Sequence, residues 1–295
     1  MNALESFPWP KPPKESHQPF WNGTTFVLGD KTSRVLAYTE ASSHWSEDLT
    51  SLHEQEAGRD HPIDMASREL AVHSMKRLEM PKPLILDVGC SSGFVLEELE
   101  DALPGADLIG ADYLRGPLEG LSIRMPTIPI LQFDLRHCPL PSACVNGITC
   151  LNVLEHIDED EAALREIYRL LKPGGIAHVE VPAGPELYDI YDEHLLHHRR
   201  YRLSDLDKLT RNIGFSVEKG THLGFWVHPA FALVKRGNRK KLKASDEEKK
   251  RLVASQIRST RSNPVFRRLI RLETWLGNHL SYPCGIRCVI VLRKK

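Results

Sequence analysis

The chain has 295 residues, with 39 basic and 39 acidic side chains and 41% apolar residues. At roughly 150 residues per domain this fits one large domain or two small ones, and the apolar fraction is enough for a core, which excludes wholesale disorder. Balanced charge argues against a general polyanion binder, and no run of about 18 apolar residues exists to span a bilayer. No apolar stretch follows Met1 as in a secretory signal, so a cytoplasmic chain is expected.

Residues 1–40 hold Pro8, Pro10, Pro12, Pro13 and Pro19, which favour extended chain, so an N-terminal arm or disordered lead is expected there. Residues 41–295 read as one α/β domain. A helix is expected over 60–78, capped by Asp60 with Pro62 in its first turn. Strand, turn and helix then alternate. Strands are expected at 83–88, 106–111, 128–133, 146–151, 176–181 and 215–219, with a last one at 285–292. Helices fall at 94–103, after Asp158 and Glu161 as a capping pair, and after Ser204 and Asp207 with Gly214 as the stop. The pattern means a mostly parallel, doubly wound sheet covered on both faces, with its ligand at the carboxyl ends of the strands. Cys90, Cys138, Cys144, Cys150, Cys284 and Cys288 show no CxxC spacing and read as core thiols.

The main site signal is Leu84-Ile85-Leu86-Asp87-Val88-Gly89-Cys90-Ser91-Ser92-Gly93-Phe94. A strand delivers a glycine loop to a helix start, where backbone N–H groups favour an anion. Phe94 stands where a dinucleotide fingerprint needs a small residue, which opposes a nicotinamide oxidoreductase. Asp87 at the strand end suits an ammonium beside those amides, so the loop suits a zwitterion such as the methionine end of S-adenosylmethionine. Asp112 ends the second strand, placed to accept ribose hydroxyls, and Asp134 ends the third, placed to accept the adenine amino group.

Leu86-Asp87-Val88-Gly89-Cys90-Ser91-Ser92-Gly93, Gly110-Ala111-Asp112, Phe133-Asp134, Leu151-Asn152-Val153-Leu154-Glu155-His156-Ile157 and Lys172-Pro173-Gly174-Gly175 together resemble the motifs of the class I S-adenosylmethionine-dependent methyltransferases, in the small-molecule branch called type 11 or type 23. The resemblance implies a Rossmann-like sheet of seven strands with the last antiparallel. It implies S-adenosyl-L-methionine as cofactor and Asp87, Gly89, Cys90, Ser91, Gly93, Asp112, Tyr113, Asp134, Leu135 and Asn152 as its binding residues. Two positions depart from the pattern: Ser91 replaces the middle glycine, and Asn146 replaces the acid that usually opens strand four.

A hydroxyl acceptor needs a base, whereas a carboxylate does not. His156, after strand four, is the first candidate, and the resemblance puts it close to the methyl group. The second is the segment Asp192-Glu193-His194-Leu195-Leu196-His197-His198-Arg199-Arg200-Tyr201, which supplies His194 and His197. Their i, i+3 spacing can hold a metal, but a hydrogen-bonded substrate loop is the reading taken and no metal is expected. This segment resembles one in bacterial relatives linked to glycan or lipid-linked products, and Arg199, Arg200 and Arg202 suit an anionic acceptor. O-methylation of a small molecule is therefore the expected activity.

Residues 222–284 are a strongly basic insert before the last strand. Val265, Phe266, Leu269, Ile270, Leu272, Trp275 and Leu276 recur near helical spacing among Arg267, Arg268 and Arg271. The segment is expected to form a helical cap that touches an anionic membrane surface, or else packs its apolar stripe inward. A nucleic-acid methyltransferase would use this charge, but strand four ends in Asn152-Val153-Leu154-Glu155 and lacks the Asp-Pro-Pro-Tyr type of motif that base methylation uses. A non-catalytic S-adenosylmethionine-binding regulator is the remaining alternative, and the oligomeric state is left open.

Overall fold

A computed structural model describes residues 4–39, 58–277 and 280–295. Strands β1 (Phe20–Trp21), β2 (Phe26–Leu28) and β3 (Lys31–Ser33) form a small antiparallel sheet. The main sheet contains β4 (Val35–Ala37), β5 (Leu84–Val88), β6 (Asp107–Asp112), β7 (Ile130–Gln132), β8 (Val145–Leu151), β9 (Leu171–Pro182), β10 (Phe215–Leu223) and β11 (Arg287–Lys294). Their order is β10-β11-β9-β8-β5-β6-β7-β4. Only β11 runs antiparallel, against both β9 and β10; the other pairings are parallel. The strand order reverses between β5 and β8, and a crevice opens beyond their carboxyl ends, as expected at a topological switch point.

The sheet has eight strands where seven were expected, because β4 of the N-terminal segment pairs with β7 at the edge. The prolines of residues 4–39 do not leave that segment as a loose lead. Trp9, Trp21 and Phe26 are almost wholly buried and join the main core. Trp9 Nε1 donates to the Leu4 carbonyl at 3.0 Å, and the Tyr38 hydroxyl donates to that of Pro10 at 2.8 Å. Aromatic burial outweighs the local preference for free extended chain.

Helices α1 (Pro62–Met75), α2 (Phe94–Ala102), α3 (Arg115–Arg124) and α4 (Asp160–Leu170) connect or flank these strands. Helix α3 is not evident in the sequence, since Gly116, Pro117 and Gly120 interrupt its pattern; it forms because Leu118 and Leu121 bury against the sheet. The three expected caps are not made. Asp60 leaves the N-cap to His61 and pairs instead with Arg261 at 2.6 Å. Asp158 and Glu161 pair with Arg199 and Arg165. Helix α6 (Leu203–Ile213) begins before Ser204, and Asp207 pairs one turn on with Arg211; Gly214 does stop it, in the left-handed region at φ 119°. Ion pairs, two of them between residues one turn apart on the same helix, thus took the place of capping bonds.

Helix α5 (Ile190–His194) is a single short turn beyond β9. The segment between β10 and β11 forms α7 (His228–Arg239), α8 (Asp246–Ser262) and α9 (Pro264–Gly277). The buried Glu273 anchors its start. One carboxylate accepts the backbone amides of Gly224, Phe225 and Trp226 at 2.6, 2.9 and 3.2 Å. These helices cover the crevice at the end of β8 and β9.

Candidate active site

A cavity of about 1500 Å³ runs from the ends of β5–β7 to the underside of α7–α9. Its first end is built from residues that each follow a strand. The glycine loop after β5 turns sharply, with Gly89 and Gly93 both at φ 76°. A side chain on Gly89 would meet Val153 Cγ2 at 2.3 Å, and one on Gly93 would meet Leu121 Cδ1 at 2.3 Å, so both positions require glycine. Ser91 takes φ 42° and supplies the turn that a middle glycine would make.

The loop amides differ from the sequence expectation of an open anion site. Gly89 and Cys90 both donate to the Ala111 carbonyl (2.8 and 3.0 Å), Ser91 donates to Asp112 Oδ2 (3.0 Å), and Gly93 donates to the Cys90 carbonyl (2.6 Å). Asp112 Oδ1 also accepts the Leu114 amide at 2.9 Å. The loop and the strand-end carboxylate therefore hold each other in place. Asp112, Tyr113, Leu135, Asn152, Gly89, Ser91 and Asp134 line the cavity.

Three expected binding residues stand off the wall. Asp87 is buried under the loop and accepts the Thr149 hydroxyl at 2.6 Å; burial, opposed by that bond and assisted by Asp112, pushes its carboxyl up to about 7. Cys90 is buried beside Gly110 in the core cluster that contains Leu96 and Ile130, and Gly93 faces Leu121. Asp134 does line the cavity, but Arg136 grips both its oxygens, at 3.0, 3.1 and 2.6 Å. Burial raises that carboxyl, and the Arg136 bonds overcome the effect and hold it below its ordinary value.

The second end gathers residues distant in sequence. Asn152 ends β8 in the left-handed region at φ 53°, and a short 3-10 turn, Leu154–His156, follows. That turn brings Glu155 and His156 beside His197. The rings of His156 and His197 lie 4.7 Å apart, edge to face, and one ligand atom from each of Glu155, His156 and His197 falls within 4.8 Å of the others. All three line the cavity. Burial pushes the Glu155 carboxyl up to about 8.

His197 is positioned from behind. Its Nδ1 lies 2.9 Å from Asp192 Oδ1, and Asp192 also accepts Arg200 Nε at 2.7 Å and Lys235 Nζ at 3.3 Å. Lys235 comes from α7 and also donates to Asp189 at 2.6 Å. Burial alone would raise the Asp192 carboxyl; the bond to His197 and the charges of Lys235 and Arg200 hold it far below the carboxylate range. Burial lowers the His197 imidazole, against the pull of Asp192.

His194 does not join this group. Helix α5 ends at His194, and Leu196 turns left-handed at φ 55°, so His194 and His197 do not share a helix face. Nor do the arginines present a free anion site. Arg200 is committed to Asp192 and the Ala183 carbonyl, Arg199 to Asp158 and Asp160, and Arg202 to Glu186. Sequence reasoning passed over Glu155 and Lys235. The acid next to His156 was a visible signal for the first; nothing local marks the second.

Residues 86–179 match the family model described as Methyltransferase domain. Among curated proteins, the chain is 29% identical over 136 residues to the Mycolicibacterium smegmatis protein named Probable S-adenosylmethionine-dependent methyltransferase, covering 45% of this chain and 52% of that one. It is 27% identical over 162 residues to the Dinoroseobacter shibae Ubiquinone biosynthesis O-methyltransferase, covering 52% and 64%. The chain thus spans between about half and two thirds of the length of these relatives. Among solved structures, Haemonchus contortus Phosphoethanolamine N-methyltransferase 2, in complex with S-adenosyl-L-methionine, shares the fold at a TM-score of 0.56 and 14% identity, covering 85% of this chain and 58% of that one. With the strand order, the glycine loop and the strand-end acids, these matches show that residues 86–179 carry a methyltransferase domain, set in a chain that shares the fold of solved methyltransferases.

Proposed function

We propose that the chain transfers the methyl group of S-adenosylmethionine to an oxygen of a small-molecule acceptor. One observation carries the reading: a single cavity has the strand-end acid Asp112 at one end and Glu155, His156 and His197 at the other. The first end fits the cofactor. Asp112 ends β6 with its oxygens fixed by the Ser91 and Leu114 amides, and a carboxylate held at that strand end can accept ribose hydroxyls. Phe133 and Leu135 offer an apolar wall for a purine beside Asp134, and Gly89, Ser91 and Asn152 line the approach of the methionine portion. Asp87 acts from below, setting the loop through Thr149.

The sulfonium supplies an activated methyl when the cofactor is bound. The protein's part is to align the acceptor and exclude water. An oxygen nucleophile must also be brought toward its anion, by a base or by a cation. An imidazole pair with a buried acid beside it suits that task. Tyr201 braces the turn that carries Glu155 and His156, its one hydroxyl lying 3.0 Å from the Leu154 carbonyl and 2.8 Å from Asp160 Oδ2. Ile63, Phe231, Ile257, Phe266 and Leu269 add apolar walls beyond the histidines. They suit an acceptor with an apolar body, in keeping with a lipid-linked molecule and with the quinone pathway for which the Dinoroseobacter shibae relative is named.

Methyl-labelled cofactor given to the purified protein with a cell extract tests this reading. Label on an oxygen of a small molecule is expected. Cofactor binding without any labelled product would favour a non-catalytic binding protein, and label on nucleic acid would overturn the choice of acceptor.

A second observation concerns α9. Ile270 packs inward, but Val265, Leu272 and Trp275 are exposed, Trp275 at 65%, alongside the exposed Arg268 and Arg271. A helix face of this kind suits contact with an anionic membrane surface where a lipid-linked acceptor is anchored. Part of the insert's charge is spent internally: Lys235, Lys249 and Arg261 pair with Asp189, Glu193 and Asp60. No described helix is long and apolar enough to cross a membrane.

A further inference from the structure

We propose that Glu155, His156 and His197 are the ligands of a divalent metal ion that activates the acceptor oxygen. The site rests on the oxygen-methylation reading and says how activation is achieved. The three ligand atoms lie within 4.8 Å of one another on the wall of one cavity. Two imidazoles and a carboxylate suit a Zn²⁺, Co²⁺, Mn²⁺ or Fe²⁺ ion and leave coordination positions open for an acceptor. Metal–ligand bonds of about 2.0–2.2 Å bring ligand atoms roughly 3.4 Å apart, so modest side-chain rotations close the set.

Two independent features point to an ion. Glu155 is 1% exposed, and its Oε2 is buried with no hydrogen-bond partner. A buried carboxyl oxygen left without a partner is costly. A cation bound against it removes the deficit. The other feature is the carboxylate behind His197. Asp192 sits 2.9 Å from Nδ1, which leaves Nε2 for a ligand. A carboxylate on the far nitrogen orients a metal-binding imidazole and raises its basicity. Lys235 and Arg200 fix Asp192 in turn, so the ring is set before any ion arrives.

The chemistry balances without an oxidant or reductant. An acceptor hydroxyl at an open position of the ion has its pKa lowered and gives its proton to water. An oxygen lone pair then forms the bond to the methyl carbon. The carbon–sulfur bond breaks with its electrons on sulfur, leaving a methyl ether and a neutral thioether. The histidines serve as ligands in this scheme, and the cation takes the place of a base.

Metal binding to the full chain, freed of ions by a chelator, tests the site without acceptor or cofactor. Co²⁺ is titrated by visible absorbance and Zn²⁺ by calorimetry. One ion per chain is expected, with affinity weakened at least about tenfold in Glu155→Gln and in His197→Ala. His137→Ala, at an exposed histidine, leaves it unchanged. Cofactor affinity of each variant, held within about twofold, certifies the fold; if Glu155→Gln fails that check, His197→Ala and His156→Ala decide. A wild type that binds no stoichiometric ion, or binding that the ligand variants leave unaltered, overturns the metal site. Stoichiometric binding with no methyl-labelled product overturns the oxygen-methylation reading alone.

Discussion

The two ends of the cavity are held together by different physics. At the cofactor end, the partners are close in sequence and mostly backbone: the loop amides bond to Ala111 and Asp112 one strand away. At the acceptor end, Asp192, which is 0% exposed, is held by His197 and Arg200 of its own segment and by Lys235 from α7. The first design is a rigid cradle that many sequences can make. The second is a buried charge network, which is unforgiving of losing one member because the others are then left uncompensated in low dielectric. The helical insert belongs to this second design: through Lys235, α7 holds the residue that orients His197.

The largest expected effect separates the two ends by stability. Asp192→Asn leaves Arg200 and Lys235 short of a buried counter-charge and should cost about 3–5 kcal/mol in chemical unfolding. The folded carboxyl is held below its unfolded value of about 3.9, so its contribution is complete above that pH and fades as the solution becomes more acid. The gap between wild type and variant should therefore shrink below about pH 4. A gap that stays constant into acid would mean that Asp192 acts by packing, and the contrast between the two ends would fail.

The next effect is catalytic. His156→Ala should lower kcat by about 100-fold or more, some 2.7 kcal/mol, with cofactor affinity nearly unchanged. Near-normal turnover would return His156 to a structural role and leave Glu155 and His197 to receive the acceptor.

Asp112→Ala probes the other end. It should weaken cofactor binding by about 1–3 kcal/mol, as polar partners lose their acceptor. Calorimetry is the measurement, and unchanged affinity would remove Asp112 from the ribose. A pair of results in which His156→Ala alters turnover alone and Asp112→Ala alters cofactor affinity would sharpen the division.

The smallest effect concerns the outer face of the insert. Sedimentation with anionic vesicles at low salt should fall when Arg268 and Arg271 are replaced by glutamine, by about 1 kcal/mol for each charge. Trp275 should become shielded from aqueous quenchers when vesicles are added. Absence of vesicle binding by the wild type would leave the exposed apolar face without this role and confine the insert to covering the active site.

Much of the cofactor end was legible in the sequence because its information is local. A buried strand, a glycine bend and an acid at the next strand end follow one another within a few tens of residues, and alternation of strands and helices implies parallel pairing. Gly89 and Asp112 line the cavity at the strand ends where that pattern put them, and the last strand is antiparallel as the family resemblance implied. The errors there arose where a local preference met a tertiary one. The proline-rich segment folds because Trp9, Trp21 and Phe26 have a core to enter, and the loop amides that looked free found carbonyls on the next strand.

The acceptor end had no such local code. Sequence spacing paired His194 with His197, whereas the left-handed turn at Leu196 separates them and the close of β8 brings His156 instead. The basic residues of 199–202 looked available for a substrate and are spent on Asp192, Asp158 and Glu186. By itself the sequence determined the alternating strands and helices, the glycine loop and the identity of the strand-end acids, since periodicity and turn chemistry act over a few residues. The tertiary structure alone decided which ionisable groups meet, because Coulomb and desolvation energies depend on distances across 155, 192 and 235 that no local pattern encodes.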